Sequence, residues 1–523
     1  MAGVKQSLVD WRILPNPWEQ CLNEEPATEF RKQKTDTILL GEPRLPSIRS
    51  NSNTPQGTRD LWSSVSPRSL MTFPHRIPTL LVRSTPVSST LSIMHLCLFE
   101  DDHVGGLRPL VETRATYDLR LGMRTLLETT RDAFEADALL LHARPLVASV
   151  TAQAHEDATV NVLPDGTDVL FVNGRYVAED DNLVQTLRDR VGTDTGHAFV
   201  QDDTLVAAWV PKAATHLPDD LLSRAPLHAD PFSDLPTTTV DEATLVDRPW
   251  HLLNTLRPAL ERDVAARMEA PSSRPLSARP HASVHESAIG LRPGQIYLGQ
   301  GAEVRPGAIL DAEDGPIYVD ANATIFEHAV VKGPCYVGPK TQVKVGANIK
   351  GSAFGYYCKV GGEVHDTVLH SLSNKSHPGF LGHSYLGRWC NLGADTNNSN
   401  LKNDYGDVSA YAPTEATFES TGRQFAGLFM GDHSKCGINT MFNTGTVVGT
   451  CCNVYGGDFP PRYLPPFSWG GPSTGFTTYR LDKALEVAER VMARRDTPFT
   501  DADRTLLTAL FDRTENERNT HHG

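Results

Sequence analysis

One hydrophobic period governs the second half of this chain. Stepping by six from Val319 gives Ile325, Val331, Val337, Val343 and Ile349, every one a β-branched aliphatic. Upstream, Leu298, Val304 and Leu310 keep the same step, with a change of phase across 311–318. Downstream, Met430, Cys436, Phe442, Val448 and Val454 resume it. The chain is 39% hydrophobic, so six chosen positions are all apolar by chance roughly 0.4% of the time. Such a period is that of a parallel β-helix: each hexad is one flat face, three faces close a triangular coil, and the aliphatic side chain points inward. Short hexapeptide faces suit the left-handed form, an exception to the usual crossover rule. Residues 280–470 are therefore expected to form a left-handed parallel β-helix. The stretch 361–406 breaks the period, and its loops are expected to project from the coil.

Ahead of the repeat, residues 94–270 alternate between two other patterns. Buried-strand runs stand at 95–99 (HLCLF), 138–142 (ALLLH), 168–174 (DVLFVNG) and 204–210 (TLVAAWV). Helical spacing appears at 118–134, 144–155, 182–191 and 249–268. Strands alternating with helices imply an α/β domain with a largely parallel sheet. Ligands bind such sheets beyond the carboxyl ends of the strands, which points to the loops opening near Glu100 and Asn173. After PPFSWGG at 465–471, the C-terminal segment 471–523 carries a stripe of Leu481, Ala484, Leu485, Ala488, Val491 and Met492, then Thr500 as an N-cap for a last helix. These helices are expected to pack on the coil end or on a neighbouring subunit.

Charge and composition narrow the function classes. A net charge of -14 excludes nucleic acid or an anionic membrane as the main partner. No run of 18 apolar residues is present, and the N-terminus lacks the apolar block of a secretory signal. The eight cysteines include no CxxC pair, and Cys451 and Cys452 are adjacent, which is no disulfide framework. A cytoplasmic protein is expected. Residues 1–93 hold 11 Lys+Arg against 8 Asp+Glu and no periodicity. They read as a disordered leader or an over-extended start, since seven acidic residues in the first 42 are unlike a transit peptide.

Several motifs together resemble a known family: CLFEDD at 97–102 with the following RPL, TR and DLRLG, VNGR at 172–175, and the long stretch GGEVHDTVLHSLSNKSHPGFLGHSYLGRWCNLGADTNNSNLKNDYG at 361–406. The chain resembles the GlmU-related sugar nucleotidyltransferases, relatives of the bifunctional uridylyltransferase and glucosamine-1-phosphate acetyltransferase that makes UDP-N-acetylglucosamine. The resemblance covers most of 94–470. It implies a trimeric transferase that acts on a sugar phosphate with a nucleoside triphosphate and acetyl-CoA, with Mg²⁺ possible at the nucleotidyl site.

Residue by residue, it implies a nucleotide loop with Gly105, Gly106 and Arg108, supported by Arg114 and Arg120. Backbone N–H groups of such a loop cradle phosphates. Asp101 and Asp102 stand where that family has small residues. Its metal-binding Gly-Asp is replaced by Asn173, Gly174 and Arg175. Magnesium-dependent transfer is therefore expected to be weak, or to draw a ligand from Asp101 or Asp102. In the coil, His383 precedes Tyr385-Leu386-Gly387, one residue closer than in the best-known family members. A histidine there can take the proton of an amino-sugar nucleophile, and His377 is the competing base. Lys375 and Arg388 form a cationic clamp for a sugar phosphate, with Tyr385, Asn391, Asn403 and Tyr405 as further substrate contacts. Asn397, Asn398 and Asn400 are read as structural corner residues. Two other classes stay open. His365 and His370, with His377 and His383, would suit a shared zinc site. A non-catalytic trimeric scaffold or sugar-nucleotide sensor is the other, and nucleotidyl transfer alone, with the coil as trimerisation scaffold, remains a further variant.

Overall fold

A computed structural model describes residues 94–522 apart from 179–180, 219, 224–225, 242, 269–273 and 276–280. The expected leader, 1–93, lies outside the described residues, and the described ones all belong to one compact unit. The α/β part is a seven-stranded sheet in the order Ala158–Val160, Ala138–Leu141, His95–Phe99, Val169–Asn173, Thr204–Val210, His197–Gln201, Thr237–Thr239. The first four strands are parallel, and Thr204–Val210 runs against both neighbours. Leu96–Phe99 and the whole of Val169–Asn173 are buried, as strands covered on both faces must be. The chain leaves His95–Phe99 toward one edge and returns on its other side at Val169–Asn173. Strand order thus reverses between these two, and their carboxyl ends flank the switch-point crevice.

Two helices are shorter than their patterns. Of the span 118–134 only Leu126–Phe134 is helical. Arg120–Leu121 and Arg124–Thr125 form a hairpin around Gly122, whose φ of 70° suits glycine. A capping box between Thr125 and Glu128 then starts the helix. The second is Ala148–Ala154.

The repeat closes into a parallel β-helix of three stacked faces with ten, six and six strands. Every hexad aliphatic named above lies in the coil core. On the ten-stranded face, Leu298, Val319, Val337, Phe354, Leu369, Leu386, Met430, Val448 and Leu464 align as one inward column. The phase change at 311–318 is one longer coil: Ile296 pairs Ile317, 21 residues on, whereas Ile317 pairs Cys335 after 18. The expectation that 361–406 projects needs correction. Up to Asn398 the chain stays in the coil, because the turns merely shorten: Lys359 pairs Asn374 after 15 residues. Val364, Leu369, Leu381 and Leu386 still fill the core. The true excursion is 399–427, which carries the antiparallel hairpin Ser409–Ala412 with Thr417–Ser420.

The outer side of the ten-stranded face explains how the α/β part is held. Tyr297, Tyr318, Tyr336, Ala353, Val368, Tyr385, Phe429, Val447 and Tyr463 form a second column, in register and facing outward. They pack with Trp250, Leu256, Leu260 and Val264 in one buried cluster. Burial of several aromatic rings there contributes on the order of 1.5–3 kcal/mol each. The terminal helices Leu481–Ala493 and Asp501–Arg513 form as the pattern predicts, with a Thr500 capping box. They bury Ala484, Leu485, Ala488, Leu507 and Leu510 with Cys451 and Phe467 of the coil. No described helix is long and apolar enough to cross a membrane. The seven described cysteines are buried free thiols.

Candidate functional site

The switch-point crevice is filled by its own side chains. Arg175, only 1% exposed, sends Nε to Asp101 at 2.9 Å and a second nitrogen to Asp247. The Asn173 amide donates to Asp101 at 2.8 Å and to the Leu205 carbonyl, while its oxygen accepts the Arg175 N–H at 3.0 Å. Glu100, fully buried, takes the Thr116 N–H, the Arg144 N–H and the Arg144 guanidinium. Asp102 is half-exposed beside His228. With the oxygens of Glu100, Asp101 and Asn173 engaged and a guanidinium seated among them, this donor set does not fit Mg²⁺, which needs near-octahedral oxygen ligands.

The glycine loop is also committed to protein contacts. Residues 102–107 form a 3-10 turn. A Cβ on Gly105 would stand 2.8 Å from the Thr414 hydroxyl, and one on Gly106 would strike Arg248 and the Asp247 carbonyl. Close packing, rather than a phosphate, accounts for both glycines. Arg108 is held by Glu112 at 3.0 Å and Glu517 at 2.8 Å. Arg120 donates from Nε to the His370 carbonyl at 3.1 Å, and its own backbone N–H and C=O both bond the Tyr385 hydroxyl. The adjoining cavity of about 1020 Å³ is lined by Asp202, Asp203, Asp247, Glu415 and Glu419 against Arg175 and Arg248. Both arginines are already paired there, so the lining repels a triphosphate.

In the coil, the expected clamp comes apart. Lys375 follows Val360 in the inward column of a six-stranded face and is fully buried. Its ammonium is spent on the carbonyls of Gly361, His377 and Pro378, and burial pulls its pKa down to about 8. Tyr385 is a bolt between coil and α/β part, through its two bonds to Arg120. Asn391 is tied to Asn374 at 3.3 Å. Asn403 and Tyr405 stand exposed on the excursion. His377 is exposed at the corner after Asn374–Lys375, whereas His383 occupies the next corner, so the two do not share a site. The asparagines do not turn corners either. Asn397 accepts the Phe380 N–H, and Asn398 bonds both Gly382 N–H and C=O, replacing a backbone ladder.

His383 has the most developed surroundings. It sits between Phe380–Gly382 and Tyr385–Arg388 with φ 47°, a left-handed corner that histidine tolerates. Phe425 stacks on the ring at 5.1 Å and 24°. The Asn400 amide lies 2.9 Å from Nδ1, and the Asp366 carboxylate lies 3.7 Å from Nε2. Burial lowers the imidazole pKa; Asp366 pulls it back up, and Arg423 and His365 add to the fall. The ring is thus neutral at neutral pH. With the amide nitrogen facing it, Nδ1 accepts and Nε2 holds the proton. A base acting through Nε2 needs the Asn400 amide turned so that its oxygen accepts Nδ1–H. Asp366 and Phe425 were not singled out from the sequence, and Asn400 was read there only as a structural corner residue. Asp366 was within reach: it lies one 17-residue coil before His383, at the same corner, as the pairing of Glu363 with Phe380 shows.

A zinc site finds no support in the histidine geometry. His370 is buried with Nε2 on the Asp118 carbonyl, and among the described residues no three His, Cys, Asp or Glu side chains converge to hold a metal.

A third region was not anticipated. Arg114 and Arg388, assigned above to different sites, line one cavity of about 630 Å³ with Trp389, Asp432 and His433. Its walls come from the α/β part, the coil and the terminal helices.

Comparison with known proteins fits this architecture. Residues 96–270 match the sugar nucleotidyl transferase family. The bifunctional protein GlmU of Rippkaea orientalis is 28% identical over 109 residues, 20% of this chain and 23% of that protein. The matched stretch thus spans under a quarter of that relative's length. Among solved structures, the Arabidopsis UDP-N-acetylglucosamine acyltransferase aligns at 14% identity over 46% of this chain and 91% of its own, with a TM-score of 0.19. The Francisella novicida UDP-N-acetylglucosamine acyltransferase aligns at 12% over 45% and 89%, with a TM-score of 0.17. At such scores neither alignment bears on function. Residues 96–270 thus match the sugar nucleotidyl transferase family, and a parallel β-helix follows them in the chain.

Proposed function

We propose that this chain is a cytoplasmic transferase of sugar-nucleotide biosynthesis that moves the acetyl group of acetyl-CoA to an amino-sugar phosphate at the His383 corner. The observation that carries the reading is a neutral imidazole at a coil corner, stacked on Phe425 and flanked by Asn400 and Asp366. With the Asn400 amide turned so that its oxygen accepts Nδ1–H, the acceptor nitrogen attacks the thioester carbonyl as Nε2 of His383 removes its proton. The C–N bond forms, the C–S bond breaks, and the imidazolium returns the proton to the departing thiolate. A thin coil offers one wall only, so a neighbouring subunit completing the site makes a homotrimer the active form. The α/β part serves as a platform, since its crevice is occupied by the Asp101–Arg175 pair.

The test is to incubate the full chain with acetyl-CoA and hexosamine phosphates, and separately with nucleoside triphosphates, Mg²⁺ and sugar phosphates, scoring products by mass. N-acetylated product in the first and little nucleotide sugar in the second is expected. Nucleotide sugar alone would reverse the reading.

The pH dependence follows from the His383 environment. The neutral ring is the active form, and its pKa lies below the ordinary 6.5. The rate constant kcat should stay level from mildly alkaline pH down past 6.5 and fall only at lower pH. Asp366 favours the imidazolium, so Asp366→Asn should move that fall to still lower pH. An acid limb above 6.5 in the unmodified enzyme would show that His383 is not the titrating group.

A further inference from the structure

The cavity of about 630 Å³ between the α/β part, the coil and the terminal helices lies away from the His383 corner. Arg388 ends the strand Tyr385–Arg388, which begins two residues after the His383 corner and spans roughly 10 Å by strand rise. Its backbone N–H is fixed by Asp432 at 2.7 Å, and its Nε reaches only the His370 ring at 3.4 Å. Among the described residues no carboxylate pairs with the Arg388 guanidinium. Of the four acids lining the cavity, Asp432 holds Arg114 and the Thr113 hydroxyl, Asp118 holds His155 at 2.8 Å, and Asp503 is engaged in the Thr500 capping box. That leaves Glu156 as the one facing Arg388 and Arg114 without either as its ion-pair partner.

The rest of the lining is short of partners in the same direction. Arg114, Thr151 and His433 are 3%, 1% and 9% exposed, and each keeps a polar atom without a hydrogen bond: Nε, Oγ1 and Nδ1 respectively. Buried polar atoms rarely go unpaired in a native protein, and the half-buried Arg388 guanidinium lacks a counter-ion. The four terminal N–H groups of Arg388, the Nε–H of Arg114 and the Thr151 hydroxyl together exceed the roughly four acceptor sites of a carboxylate. The three oxygens of a phosphate monoester accommodate them, and paired arginines match that geometry. Apolar surface from Val150, Met492 and Leu506 completes the walls.

We propose that this cavity binds a phosphorylated small molecule, with Arg388 and Arg114 holding its phosphate and Trp389 beside its remaining part. The volume is that of an ordinary metabolite pocket. The site is separate from the acyl-transfer reading and does not depend on it.

The experiment is calorimetric titration and thermal melting of the full chain with inorganic phosphate and with glucose 1-phosphate. Glucose, acetate and sodium chloride at matched ionic strength serve as controls. Saturable binding and a rise in Tm with the two phosphates only are expected. Arg388→Gln should weaken that binding about 10–100-fold, while its Tm without phosphate should equal or exceed that of the parent. Arg388→Lys, which keeps the charge but loses the fork, should fall between them and covers the case of a Gln variant that does not fold. His383→Ala should bind phosphate like the parent. Absence of saturable phosphate binding overturns the proposal. So does a response that persists in Arg388→Gln, one lost in His383→Ala, or one matched by acetate.

Discussion

Replacing His383 with alanine or asparagine is expected to lower kcat for acyl transfer by about 10²–10⁴-fold, the usual cost of losing a positioned base. Asparagine is the cleaner variant. Position 383 has φ 47°, a backbone state that asparagine adopts far more readily than alanine. The corner therefore stays intact, and the Phe425 stack is the only packing lost. Coil, subunit assembly and acetyl-CoA affinity should be unchanged, so the loss belongs to kcat rather than KM. His377→Ala should have no such effect, because that ring is exposed at a different corner. If His377→Ala carries the loss, the base has been placed one corner too late. If neither change matters while transfer persists, the mechanism does not use a histidine base.

The fold was legible because a coil core repeats one requirement at fixed spacing. Each of the aliphatics from Leu298 to Val454 meets the same need, so a period of six survives simple counting. The short coils between Lys359 and Asn398 escaped for the same reason: they drop one or three corner residues per turn and keep the inward column. Only the spacing was lost. The outward column of Tyr297, Tyr318, Tyr336, Tyr385 and Tyr463 was not recognised, since alternate residues of a strand look like ordinary half-exposed positions until another surface covers them.

Site residues were less readable, and Lys375 shows why. From sequence a lysine in a family motif is a surface cation seeking phosphate. Its register with Val360 puts it in the core column, where backbone carbonyls consume the charge. Arg114 and Arg388 illustrate the opposite failure. They are 274 positions apart in the chain, and nothing local couples them. The chain folds back so that the loop after the first strand meets the coil, and Asp432 bonds both the Arg114 side chain and the Arg388 N–H. His383 was found through its motif, whereas Asp366 needed the coil length and Phe425 needed the path of the excursion.

Arg175→Met is expected to destabilise the folded unit by about 3–5 kcal/mol, the penalty for breaking a buried ion pair from one side. Arg175 is 1% exposed at its side chain and Asp101 only 8%. The Asn173 amide left on Asp101 cannot replace a guanidinium that spans both carboxylate oxygens. Asp101 would then stand charged at the carboxyl ends of the two central parallel strands, where Gly174 N–H bonds the Phe99 carbonyl at 2.7 Å. A shift of the urea transition midpoint at unchanged slope reads the loss. The double change Asp101→Leu with Arg175→Met should recover much of it, because apolar replacement of a buried pair is often neutral. The two results together test whether the crevice has become a structural joint. A functional nucleotide site predicts the reverse pattern: Arg175→Met would leave the midpoint within about 0.5 kcal/mol of the parent while abolishing magnesium-dependent nucleotidyl transfer. In that case Arg175 would be a phosphate ligand, and the paired state seen here would be the resting form of a working site.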